Sequence, residues 1–277
     1  MPFNKLLGID LKEAIEGPFF LPGTVLQVTN DTAICVFNGW YEESSCGQPF
    51  ATKMQRQGHS VAVLSYPDFD NSTCTELVRA IWTQLLEIRS QGIKKIYLAG
   101  FSLGGLIAFQ LATLKERLKL EYGLEVMGVI AISPPLRLRW YLHLPSEAIR
   151  ASTFDRQLAK QISRFSPTFR FPHSEYALEE YWRSKVNRTW ISIIELIRAI
   201  RFTNLILKDN TLQLPVLVVV SEKDELVDSR QTTRIAKKRI RQVEVVEVPG
   251  GHNSLLSNSC PIVCEVVHGF ISRIQGN

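Results

Sequence analysis

The 277-residue chain reads as an α/β fold on a mostly parallel sheet, and three features predict it. Short apolar, β-branched runs alternate with helix-spaced apolar stripes along most of its length. The runs at 96–99, 126–132 and 216–220 lack polar alternation, as strands buried on both faces do. One of them leads directly into Gly100-Phe101-Ser102-Leu103-Gly104, and a helical pattern starting at Leu106 follows.

The elements follow in order. Residues 23–28 and 32–37 flank Thr29-Asn30-Asp31 and predict a β-hairpin. Residues 61–65 form the next strand, preceded by a turn at Gln57-Gly58-His59-Ser60. Residues 73–90 carry apolar side chains at 77, 78, 81, 82, 85 and 88, a helical stripe ended by Gly92. The strand before Ser102 and its helix come next, then the strand 126–132, stopped by Pro134-Pro135.

There the alternation breaks. Residues 137–210 read as helical or irregular, with no clear strand. It resumes with a strand at 216–220, a helix near 229–240, an alternating strand at 243–248 and a helix from about 260 to 275. The division is therefore a core from 1–136, a helical lid or cap insertion at 137–210, and the rest of the core at 211–277. Within the insertion, Trp190 to Leu207 is very apolar, with Glu195, Arg198 and Arg201 on one side. It reads as a helix packed on the core and lining an acyl pocket, with membrane docking as the alternative.

Strand, Gly-x-Ser-x-Gly, helix is the setting in which a serine becomes a nucleophile. The turn leaves no room for side chains two residues before and after the serine, hence the glycines. The free N–H groups of the following helix face any negative charge that forms on a substrate. A serine hydroxyl needs a base, and the base an acid to orient it. The chain has five histidines: 59, 143, 173, 252 and 268. Only His252 sits on a loop directly after a strand, behind Pro249-Gly250-Gly251. Asp224 follows the strand 216–220 by a few residues. Glu222, Glu225 and Asp228 are neighbouring alternatives, and Asp228 is better placed to cap the next helix. The order Ser102, Asp224, His252 is that of the α/β-hydrolases.

On Gly100-Phe101-Ser102-Leu103-Gly104-Gly105, on Val220-Ser-Glu-Lys-Asp224-Glu-Leu-Val-Asp228 and on Gly250-Gly251-His252, the chain resembles the α/β-hydrolase superfamily. It is most similar to small bacterial carboxylesterases and monoacylglycerol lipases. The resemblance runs from about Thr32 to the C-terminus, and over 137–210 it is one of kind only. It implies a central sheet with helices on both faces, a lid, a Ser102–His252–Asp224 triad and no cofactor. It also implies an oxyanion hole made by the backbone N–H groups of Leu103 and Trp40. One departure stands out: Asn38-Gly39 replaces the His-Gly usual after the strand 32–37. A backbone donor does not need that histidine side chain.

Net charge is +5, and it is uneven: residues 137–210 hold 13 Lys/Arg against 7 Asp/Glu, the rest 19 against 20. The ordinary reading is a solvated helical face; the sharper one is transient contact of the basic insertion with a membrane surface or an acyl carrier. No nucleic-acid motif is present. Five cysteines without paired spacing give no disulfide framework, and no metal-ligand set accompanies them. With no secretory apolar core near the N-terminus, the expectation is a cytoplasmic protein.

Three functions compete. The first is a serine hydrolase of carboxylic esters. The second is a thioesterase acting on acyl-CoA or a carrier-bound acyl chain. The third is a hydrolase-like binding protein without turnover.

Overall fold

A computed structural model describes residues 24–25, 31–39, 47–65, 72, 74–139, 168–170, 187–209, 212–255 and 258–276. Its centre is a seven-stranded sheet of β1 (Thr24–Val25), β2 (Thr32–Phe37), β3 (Ser60–Leu64), β4 (Lys95–Phe101), β5 (Glu125–Ile132), β8 (Val216–Ser221) and β9 (Val243–Val248). The spatial order is β1-β3-β2-β4-β5-β8-β9. All neighbours pair in parallel except β1, which runs antiparallel to β3 at the edge.

The predicted hairpin is therefore corrected. β1 pairs with β3, Thr24 opposite Val63, not with β2. Both edges of β2 are taken by parallel partners, β3 and β4, so no edge remains for its sequence neighbour.

Alternate residues of each inner strand face opposite sides. Ala33, Cys35 and Phe37 of β2 join one core cluster, while Ile34 and Val36 join the other. The first cluster is closed by α2 (Cys74–Ser90), α3 (Leu103–Ala112) and α5 (Trp190–Lys208); the second by α1 (Gln48–Arg56) and α7 (Cys260–Gln275). The predicted stripe of α2 is buried at 77, 78, 81, 82, 85 and 88. Trp82 also meets Tyr122 edge-on at 5.6 Å, tying α2 to α4 (Lys115–Tyr122). Truncating such a side chain to alanine typically costs ~3–5 kcal/mol.

Between β5 and β8 the chain carries β6 (Thr168–Arg170), β7 (Asn187–Thr189) and α5. β6 and β7 form an antiparallel ribbon, where the sequence shows no strand, because strands of three residues are too short to show a readable period. Leu196, Ala199, Phe202 and Ile206 of α5 lie in the first core cluster, so the apolar stretch packs on the core. Residues 140–167 and 171–186 of the predicted lid lie outside the described residues.

Two helices leave no periodic signal in the sequence. α1 buries only Phe50, Ala51 and Met54, and α4 only Leu118, too few for a stripe. The helix α6 (Ser229–Arg239) starts where predicted: Asp228 caps it, its Oδ1 accepting the Gln231 N–H at 3.0 Å. Among the described residues no helix is long and apolar enough to cross a membrane.

Candidate active site

The site lies where the C-terminal ends of β4, β8 and β9 meet, the usual ligand edge of an open parallel sheet. Ser102 stands between β4 and α3 with φ 51° and ψ −117°, outside the ordinary regions for a residue with a Cβ. Its N–H is fixed by the Ile132 carbonyl at 2.8 Å. The tight turn that holds it depends on its glycines. A Cβ on Gly100 would overlap the Gly104 carbonyl, and one on Gly104 would overlap the Phe37 carbonyl. The helix begins at Leu103 rather than Leu106, because Gly104-Gly105 interrupts the apolar stripe without interrupting the helix.

The three residues named from sequence come together. His252 Nε2 lies 2.9 Å from Ser102 Oγ. On its other side, Nδ1 is 2.9 Å from Asp224 Oδ2 and 3.1 Å from Oδ1. All three are buried, Asp224 completely. The Asp224 carboxylate is held in turn: Oδ1 accepts the N–H groups of Leu226 at 2.9 Å and Val227 at 2.7 Å. A carboxylate satisfied by backbone donors cannot swing away without stranding them. Phe101 packs its ring 5.2 Å from the imidazole.

The acid and histidine loops are also joined through their backbones. Glu222 N–H donates to Val248 O and Lys223 N–H to Gly250 O, each at 2.9 Å. These bonds extend the β8–β9 ladder past its last pair, Ser221 opposite Val248. They set the distance at which His252 meets Asp224.

The rival acids have other roles. Glu225 accepts the backbone N–H of His252 rather than its ring, Glu222 points to solvent, and Asp228 caps α6. Among the rival histidines, His59 and His268 bond to each other, Nε2 to Nδ1 at 2.8 Å. His143 and His173 lie outside the described residues, as does Trp40. Leu103 is the first residue of α3, so its N–H is one of the helix's orphan donors. Asn38 is buried at the end of β2, its Oδ1 beside Gly47 at the start of α1.

Sequence reasoning missed two residues that hold the acid loop. In the sequence Glu225 reads only as a rival acid, and Arg139 carries no signal at all. Arg139 Nε donates to the Asp224 carbonyl at 2.8 Å.

With this geometry in view, comparison with known proteins adds the lineage. A family model described as "Thioesterase domain" matches residues 44–271. No curated protein matches the chain in sequence. Among solved structures, one of the metagenome-derived lipolytic enzymes LipS and LipT is 16% identical with a TM-score of 0.69, covering 91% of this chain and 97% of its own. A soluble variant of monoglyceride lipase from Saccharomyces cerevisiae, solved with a substrate analogue, is 12% identical with a TM-score of 0.66, covering 91% and 90%. The monoacylglycerol lipase of Paleococcus ferrophilus is 15% identical with a TM-score of 0.62, covering 87% and 94%. At such identities the likeness is one of fold.

Proposed function

The chain belongs to the thioesterase-domain family, of α/β-hydrolase type, and from that premise we propose that it is a serine hydrolase cleaving acyl thioesters through Ser102, His252 and Asp224. The observation that carries the serine-hydrolase reading is the unbroken hydrogen-bonded chain Ser102 Oγ, His252 Nε2, His252 Nδ1, Asp224 carboxylate, and the family match is what favours a thioester.

The chemistry follows from that chain. His252 takes the Ser102 proton as Oγ attacks the acyl carbon. Asp224 keeps the imidazole in the tautomer with Nε2 free and stabilises the imidazolium. The carbonyl oxygen becomes an oxyanion, received by the Leu103 N–H and, on the family pattern, the Trp40 N–H. One such donor is worth ~3–4 kcal/mol of the barrier. His252 returns the proton to the leaving sulfur, leaving Ser102 acylated. A water deprotonated by His252 then releases the acid and restores the serine. No step calls for a cofactor.

Hydrolysis of carboxylic esters is the second reading. It is favoured by the fold neighbours, whose names mark them as lipolytic enzymes and monoacylglycerol lipases. Both substrates give the same acyl-enzyme and differ in the leaving group. A panel of acyl-CoA, monoacylglycerol and p-nitrophenyl esters ranks them. Contact of the basic insertion with an acidic carrier adds a salt-dependent KM toward carrier-bound chains that neutral esters do not share.

The test of the site is Ser102→Ala. Turnover is expected to fall by at least about 10⁴-fold with the fold intact. A fluorophosphonate probe is expected to label Ser102 and no other residue. Undiminished turnover in the variant, or a label elsewhere, removes the assignment.

A further inference from the structure

Asp224 is held at both its carboxylate and its main-chain carbonyl, and the holder of the carbonyl lies outside the loop. Just beyond β5, residues 137–139 run antiparallel beside the acid loop. Asp228 N–H donates to Arg137 O at 2.8 Å, Arg139 N–H donates to Leu226 O at 3.0 Å, and Leu138 bridges Val227. From this short brace the Arg139 side chain reaches across, and its Nε donates to the main-chain carbonyl of Asp224 at 2.8 Å.

The loop thus has two sets of supports. The Leu226 and Val227 amides hold the carboxylate from within the loop. Arg139 holds the peptide from outside it. The peptide that Arg139 grips joins Asp224 to Glu225. Rotating it tilts the Asp224 carboxylate away from His252 Nδ1. The same rotation carries Glu225 away from the His252 N–H, which it accepts at 3.0 Å. A guanidinium N–H is a strong, directional donor because its charge assists the bond and its plane fixes the angle.

We propose that Arg139 is a positioning residue for Asp224, and that residues 137–139 form a brace coupling the chain that leaves β5 to the triad. This rests on the reading of Asp224 as the acid. Arg139 touches neither the serine nor the imidazole; it acts through the peptide it holds. The brace lies a few residues past the Ser133-Pro134-Pro135 stop, so the path of the chain leaving β5 fixes where the Arg139 donor stands.

The test compares wild type, Arg139→Ala, Arg139→Lys and Ser102→Ala on one acyl thioester, with steady-state kinetics and the rate of fluorophosphonate labelling. Misplacing a catalytic group lowers turnover rather than substrate binding. Arg139→Ala is therefore expected to lose about tenfold in kcat with KM within about twofold, and to label proportionately more slowly. Arg139→Lys, which keeps a cationic donor, recovers most of the loss. Wild-type kcat in folded Arg139→Ala, a KM that rises as far as kcat falls, or a lysine variant no better than alanine overturns the proposal. Should Arg139→Ala fail to fold, Arg139→Gln takes its place in the same comparison. The two readings fail separately. An active Ser102→Ala sinks the triad, whereas an inactive Ser102→Ala beside an unaffected Arg139→Ala sinks only the brace.

Discussion

Glu225 Oε2 accepts the backbone N–H of His252 at 3.0 Å, while the adjacent Asp224 takes the imidazole Nδ1 at 2.9 Å. Two consecutive carboxylates thus divide one histidine between them. The division makes a sharp prediction. Asp224→Asn presents the wrong partner to Nδ1 and is expected to lower kcat about ten-thousandfold. Glu225→Gln keeps an oxygen acceptor for the main-chain N–H and is expected to cost less than about tenfold. Steady-state kinetics on the two variants decides which carboxylate is the acid; the reverse ranking reassigns it to Glu225.

The backbone of Ser102 carries a second consequence. Its φ of 51° with ψ of −117° disfavours any residue with a Cβ and is held by the glycines around it. Such strain typically amounts to ~1–3 kcal/mol. Ser102→Gly removes the Cβ that suffers it, whereas Ser102→Ala keeps it. The glycine variant is expected to be more stable than the alanine variant by about 1 kcal/mol in urea unfolding, although glycine loosens the unfolded chain. Equal midpoints, or a more stable alanine variant, contradict stored strain at Ser102.

How much of this was readable beforehand follows from what each feature leaves in a sequence. Ser102, Asp224 and His252 were legible because each follows a strand with its own apolar signature, and the chain order is distinctive. The α2 stripe was legible because six apolar positions share one face. The partner of β1 was not, since pairing is decided by which sheet edge is free, and β2 has none. α4 escaped because it buries a single residue. Arg139 and the amide role of Glu225 escaped for a different reason. Both bond to main-chain atoms of residues far away in sequence, and a contact to a backbone leaves no trace in the partner's identity.

The glycines of the tight turn around Ser102 are a packing requirement that can be measured. Gly104 brings α3 so close to the end of β2 that a methyl group there would overlap the carbonyl of Phe37. At Gly100 the obstacle is the Gly104 carbonyl, again backbone and unable to rotate aside. Gly105 is roomier, its nearest obstacle being the Pro134 side chain at 3.1 Å. Overpacking of this kind costs ~1–3 kcal/mol or more. Gly104→Ala and Gly100→Ala are expected to lose most of their soluble folded yield, and Gly105→Ala to lose less. Circular dichroism melts of the three variants check the order, and a Gly104→Ala protein melting with wild type contradicts the close approach.

The pair formed by His59 and His268 makes stability depend on pH. Their rings meet through Nε2 and Nδ1 at 2.8 Å, which requires one of the two nitrogens to lack a proton. Burial first, and the neighbouring His268 second, hold the His59 pKa below its ordinary value of 6.5. The folded state therefore binds fewer protons there than the unfolded state as pH drops below 6.5. The contribution is complete above that value and is lost as pH falls through the depressed folded value. The junction at stake joins the turn after α1 to α7, where Gln57 also donates to Glu265 at 2.7 Å. Melting temperature is expected to decline from pH 7 to pH 5 in the wild type. It should decline less steeply in His59→Gln, whose side chain does not titrate. The comparison is between slopes, so a lower overall stability of the variant does not obscure it. Parallel curves would show that the histidine pair contributes nothing to the acid sensitivity of the fold.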